Sequence, residues 1–173
     1  MAKEVMDAKT MLGVLHLIGN IVATSRFLCQ QTLAKTTIFN LFERVSHEHN
    51  TVHPDIIEQV TWVNKLLTKF AYELVLDENC RHFSITIAHL GLQKDYKQTT
   101  LNSVKALKHL AEHFEEEISK IATVDTITRL VNLVNAADFD HCLEAIICLS
   151  CIFASEDSEP IQKAINSGFF SII

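Results

Sequence analysis

The stretch VTWVNKLLTKF, Val60 to Phe70, decides the fold, because segments of the same character return at a near-constant interval. It holds the chain's single tryptophan, Trp62, beside a core stripe of Val60, Val63, Leu66, Leu67 and Phe70 at helical spacing. VLHLIGNIVA (Val14–Ala23), SVKALKHLAEHF (Ser103–Phe114) and LEAIICLSCIFA (Leu143–Ala154) align with it. His16, Trp62, Lys105 and Ile147 then share one position, and Asn20, Leu66, His109 and Cys151 follow four residues later. The separations are 46, 43 and 42 residues. Shorter helical pairs lie between, such as EEEISKIATV followed by DTITRLVNLVNAA, where Asp125 is the candidate cap. The repeating unit is therefore two shorter helices and one long one. Such a unit has too little apolar surface to close a core alone, so neighbours must stack.

Composition agrees with helices throughout. Among 173 residues only 4 are Gly and 2 are Pro, too few for many tight turns. MLGVLHLIGNIVA is apolar on most sides and leaves a narrow face for His16, Asn20 and Ala23; ITIAHLGL has some β character but lies among helices. Hydrophobic residues make up 48% and charged residues 21%, an ordinary globular balance. The net charge of −6 disfavours a general nucleic-acid binder and allows basic partners. No apolar run approaches the roughly 20 residues needed to span a bilayer, and MAKEVMDAKT lacks the apolar core of a signal peptide. Cys29, Cys80, Cys142, Cys148 and Cys151 form no disulfide framework and read as reduced, mostly buried thiols. Together these features predict a soluble protein of the cytoplasm and nucleus.

A period near 42 residues falls in the band of armadillo and HEAT repeats. The chain also resembles the armadillo repeats of the importin-alpha family, in order through nearly its whole length. LIGNIVATSRFLCQQTLAKTTIFNLF is similar to that family's second long helix and the start of its next repeat. EQVTWVNKLL is similar to the third repeat's long helix. LVNAADFDHCLEAIICLSCIFASEDSEPIQKAINSGFFSII resembles a later repeat boundary, including its acidic turn and the Ser167-Gly168 pair. The resemblance implies an all-α, right-handed armadillo superhelix of about four three-helix repeats, terminal ones partial, with residues 1–173 as a single domain. The chain stops at GFFSII, inside an expected helix, which reads as a fragment or a reduced version of a longer solenoid. A compact helical bundle with a coincidental period is the alternative.

In that family a Trp and an Asn four residues apart project from each long helix into a concave groove. Residues i and i+4 share one helix face. Paired indoles make slots for lysine or arginine stems, and each amide can clamp an extended peptide backbone. The resemblance thus places His16, Asn20, Thr24, Gln59, Trp62, Lys105 and His109 along a peptide-binding groove. It implies an adapter for nuclear protein import that holds an extended peptide, a basic nuclear localisation signal in the family's own form. It further implies an importin-beta-type carrier where a basic arm exists elsewhere. The groove set is depleted. The Trp place holds His16, Lys105 and Ile147 in the other repeats, the Asn place holds Leu66, His109 and Cys151, and Thr24 stands where the family has an aspartate.

Other features carry blander readings. Trp62 is equally at home as a tryptophan between repeats. Asn20 either faces the groove or bonds to a neighbouring repeat. His47, His49 and His53 lie in SHEHNTVHP, a solvated loop rather than a metal site. Cys148 and Cys151 form C-x-x-C inside an apolar helix, which is not a redox context. EHFEEE reads as a solvated turn or an acidic rim for a basic partner. No phosphate loop, nucleophile elbow or carboxylate pair points to an enzyme, and no cofactor or metal is expected. The second functional reading is a structural scaffold for protein assembly, with Phe169 and Phe170 at the C-terminal end making a homodimer contact.

Overall fold

The computed structural model of the chain describes residues 7–25, 38–48, 53–72 and 77–169. Its helices are α1 (Ala8–Thr24), α2 (Ile38–Glu48), α3 (Pro54–Phe70), α4 (Glu78–Leu92), α5 (Lys97–His113), α6 (Ile118–Ile121), α7 (Val124–Val134), α8 (Phe139–Phe153) and α9 (Glu159–Asn166). A 3-10 turn, Glu115–Glu117, precedes α6. The described residues contain no strand.

The four aligned segments lie in α1, α3, α5 and α8, the predicted long helices. They stack in that order: α1 packs on α3, α3 on α5 and α5 on α8. Local chemistry sets their starts. Asp7 caps α1 by accepting from the Thr10 amide, and Pro54 occupies the first turn of α3, where its missing N–H costs nothing. Asp138 caps α8 through the His141 amide. The cap of α7 is Thr123, which accepts from the Thr126 amide; Asp125, the expected cap, stands inside the first turn.

Burial follows the stacking. One apolar cluster joins α1, α2, α3 and one side of α4, through Leu15, Phe42, Val60, Leu67 and Ile87. A second joins the other side of α4 to α5, α7 and α8, through Ala88, Leu107, Leu110, Leu130 and Leu149. The helix ITIAHLGL therefore feeds both clusters, which is why its apolar residues look continuous rather than amphipathic. Gly91 lets α4 approach its neighbours closely. A Cβ there would stand 2.2 Å from the Ser103 hydroxyl and 2.6 Å from a Thr61 methyl.

Several local expectations change. Between α3 and α5 the described residues hold one helix of 15 residues, not a clear pair; residues 73–76 lie outside them. Leu17 is 62% exposed, so α1 is less enclosed than its composition suggested. Phe70 leaves the core stripe of α3 and lies under the Lys69 ammonium, 4.7 Å from its ring centre. EHFEEE is not wholly solvated, because Glu117 is buried and paired with Arg81 at 3.1 Å and Lys120 at 2.8 Å. His47 belongs to α2 and His53 caps α3, while His49 and Cys29 lie outside the described residues. Cys148 is buried and Cys80, Cys142 and Cys151 are half-buried, all as free thiols. No described helix is long and apolar enough to cross a membrane.

His89 ties α4 to α6 through its Nε2, which lies 3.2 Å from the Ile121 carbonyl oxygen. Burial pushes its pKa below the ordinary 6.5, and the carbonyl contact offsets only part of that. Below pH 6.5 the unfolded chain therefore binds more protons here than the folded one, and stability falls as the pH drops. Urea midpoints taken above and below that pH will show a smaller acid loss in His89→Gln than in the parent. An equal loss in both would assign the pH dependence elsewhere.

Candidate functional site

The geometry around Trp62 begins with a missing side chain on the next helix. A Cβ on Gly19 of α1 would stand 2.0 Å from Cζ3 and 2.4 Å from Cη2 of the indole. The ring of α3 therefore lies directly on the backbone of α1, a seat only glycine leaves open. His16, one turn earlier, meets the indole edge-on, with ring centres 6.2 Å apart and planes at 77°. Trp62 is half-buried. One side of the ring packs between repeats while the side chain still lines a surface hollow.

That hollow, of about 450 Å³, spans three consecutive long helices. His16 and Asn20 line it from α1, Glu58, Gln59, Trp62 and Lys65 from α3, and Gln98 and Asn102 from α5. Asn20 is exposed. Gln98 donates through Nε2 to the Asn102 side-chain oxygen at 3.2 Å. Asn102 is 1% exposed, and its own Nδ2 donor has no partner. An unpartnered buried donor beside an open hollow calls for an acceptor.

Of the seven groove residues expected from the sequence, His16, Asn20, Gln59 and Trp62 meet here. The other three do not. Thr24 lies at the far end of α1, beside Lys69, Phe70 and Tyr72, and its hydroxyl donates back to the Asn20 carbonyl at 2.6 Å. Lys105 is half-buried, 3.6 Å from the Glu144 carboxylate of α8. His109 leans on Glu112, with Nδ1 2.9 Å from its carboxylate. Burial holds the His109 pKa below its ordinary value, which the Glu112 contact only partly opposes.

Glu58, Lys65, Gln98 and Asn102 stand outside the two positions per helix that the repeat alignment compares. Glu58, Gln59 and Lys65 stand one helical turn before or after Trp62 and share its face. Gln98 and Asn102 lie two turns and one turn before Lys105. The hollow is thus met on α5 closer to the N-terminus than aligned positions predict. Leu66, in the expected Asn place, is 7% exposed and belongs to the core. Asn64 is fully buried and donates to the Ser84 carbonyl at 2.9 Å, joining α3 to α4.

No family model matches the chain, and no curated protein is similar to it. Solved structures are. The designed armadillo repeat protein YIII(Dq)4CqI superposes with a TM-score of 0.79 at 17% identity, covering 97% of this chain and 68% of that one. Computationally designed armadillo repeat proteins for modular peptide recognition give 0.80 at 16%, with the same coverage. A designed armadillo repeat protein solved in complex with the peptide (KR)4 gives 0.77 at 16%, again over 97% of this chain and 68% of that one. An engineered protein gives 0.81 at 14%, and this chain spans only 40% of its length. The fold is an all-α armadillo-type repeat solenoid.

Gly19→Ala tests the seat of the indole. The added methyl must expel the ring, and overpacking of this kind costs about 1–3 kcal/mol. Expected are a lower urea midpoint, red-shifted Trp62 emission and stronger acrylamide quenching. Unchanged emission would mean that the indole does not rest on α1.

Proposed function

We propose that this protein is a binding adapter that holds an extended peptide segment of a partner across α1, α3 and α5. The observation that carries this is the hollow itself. It combines a partly free indole, an exposed amide on Asn20 and a buried amide on Asn102 whose Nδ2 has no partner. Indoles supply large contact area at low entropic cost, and amides pair with the donors and acceptors of an extended backbone. The fold supports the same reading, since one similar designed protein was solved with a peptide bound.

Nuclear import is the specific form of this role that the importin-alpha resemblance supports. The protein would then work between cytoplasm and nucleus, with an importin-beta-type carrier recruited by a basic arm outside this sequence. Glu58 is the acid of the hollow and lies on the same face as Trp62, as a lysine-bearing signal would require. Lys65 is its base and opposes such a signal.

The scaffold reading has one observation of its own. Phe139, Leu143 and Ile146 are 74%, 42% and 46% exposed at helical spacing on α8, an apolar stripe open to another helix. The C-terminal contact first expected is weaker. Phe169 packs edge-on against Phe153 with ring centres 5.9 Å apart, and Phe170 lies outside the described residues.

One titration separates the two readings. Extended peptides of basic, neutral and acidic composition are added while Trp62 emission and binding heat are followed. The adapter reading expects at least one to bind and shift the emission, and expects Trp62→Ala to weaken it. Silence from every peptide, with a concentration-dependent dimer by sedimentation, would replace the adapter with the scaffold.

A further inference from the structure

We infer that the bound segment is acidic: its carboxylates are received by Lys65 and Lys105, with Lys69 and Lys108 one turn further along each helix. The inference rests on the adapter reading and concerns the ligand that the same groove selects.

The overall charge is −6, yet the long helices gather lysines where the ladder crosses from α3 to α5. Lys65 lines the hollow beside Trp62 and is half-buried. Lys69 follows one turn after Lys65 on α3, and Lys105 stands on α5, which packs against α3. Burial lowers the affinity of Lys65 for a proton, and the charges of Lys105 and Lys69 lower it further. Neither Lys65 nor Lys69 pairs with a carboxylate among the described residues. Lys105 and Lys108 are partly answered, and by a shared group. Glu144 lies 3.6 Å from the first and 3.0 Å from the second. One carboxylate thus serves two lysines; Glu58, the acid of the hollow, lies one turn before Trp62, on the other side of it from Lys65.

A half-buried ammonium crowded by like charges is unfavourable as it stands. A carboxylate brought to it relieves both repulsion and lost hydration. The spacing suits an extended chain. Neighbouring long helices lie about 10 Å apart, and a strand rises about 3.3 Å per residue. Carboxylates about three residues apart would therefore reach Lys65 and Lys105 in turn. Asn102, one turn before Lys105, lines the same hollow. The lysine-rich segment that the family resemblance implies would bring its own cations against this cluster.

The test uses labelled peptides of one length, with Glu and Asp, with Lys and Arg, or neutral, together with a single-stranded RNA oligonucleotide as a second polyanion. Binding is followed by anisotropy at low and moderate salt. The acidic peptide should bind tightest and weaken as salt rises. Lys65→Glu and Lys105→Glu should each weaken it at least about tenfold. Lys65→Gln should weaken it less, and circular dichroism on all variants establishes folding. Lys94→Glu, in the α4–α5 turn, should leave binding unchanged. A basic peptide or the RNA binding more tightly would overturn the acidic assignment, as would binding indifferent to both Lys65 variants. If the neutral and acidic peptides bind alike, charge selection fails and the adapter stands. If nothing binds, the adapter itself fails.

Discussion

One repeat of this chain cannot bury its own apolar surface, so the structure depends on long helix stacking against long helix. The contact of α3 with α1 on one side and α5 on the other meets that need. On the α1 side the indole of Trp62 lies on the bare backbone at Gly19. The same contact that completes the core between repeats sets out a row of side chains on the outer face of the ladder. Packing and the surface hollow are two sides of one arrangement. Trp62 takes part in both.

Electrostatics gives that row its character. The chain is acidic overall, and some of its acids are engaged where the helices meet. Glu117 is buried between Arg81 and Lys120, and Asp138 pairs with Lys97 and His141. Contacts with Lys97 and then His141 hold the Asp138 carboxyl far below its ordinary pKa. On α3, Lys65 and Lys69 meet no carboxylate among the described residues, while on α5 Lys105 and Lys108 share Glu144. These lysines are what the proposed acidic segment would meet, and like-signed groups on an otherwise anionic protein would draw it over distance.

The repeat was legible because stacking imposes a period, and Trp62, Lys105 and Ile147 kept it within one residue of 42 to 43. The faces were harder. ITIAHLGL looked ambiguous because α4 serves two apolar clusters at once. Asp125 looked like a cap because sequence does not show that Thr123 already satisfies the Thr126 amide. Half of the hollow could be named in advance, through the i, i+4 relation within α1 and the neighbours of Trp62. Gln98 and Asn102 could not, since their place depends on how far α5 is offset along α3, a quantity fixed by side-chain packing between helices. Asn102 also gives no signal of its own: its unpartnered amide exists only once Gln98 has taken the oxygen.

The central claim is that the face shared by α1, α3 and α5 is where a partner segment lies. Backbone-amide NMR of the labelled protein during titration with the tightest-binding peptide tests it most directly. The account predicts shifts concentrated at Asn20, Trp62, Lys65 and Asn102, fading toward α7. Shifts gathered instead around His89, Asp125 and Arg129, which line the separate hollow between α4 and α7, would contradict it.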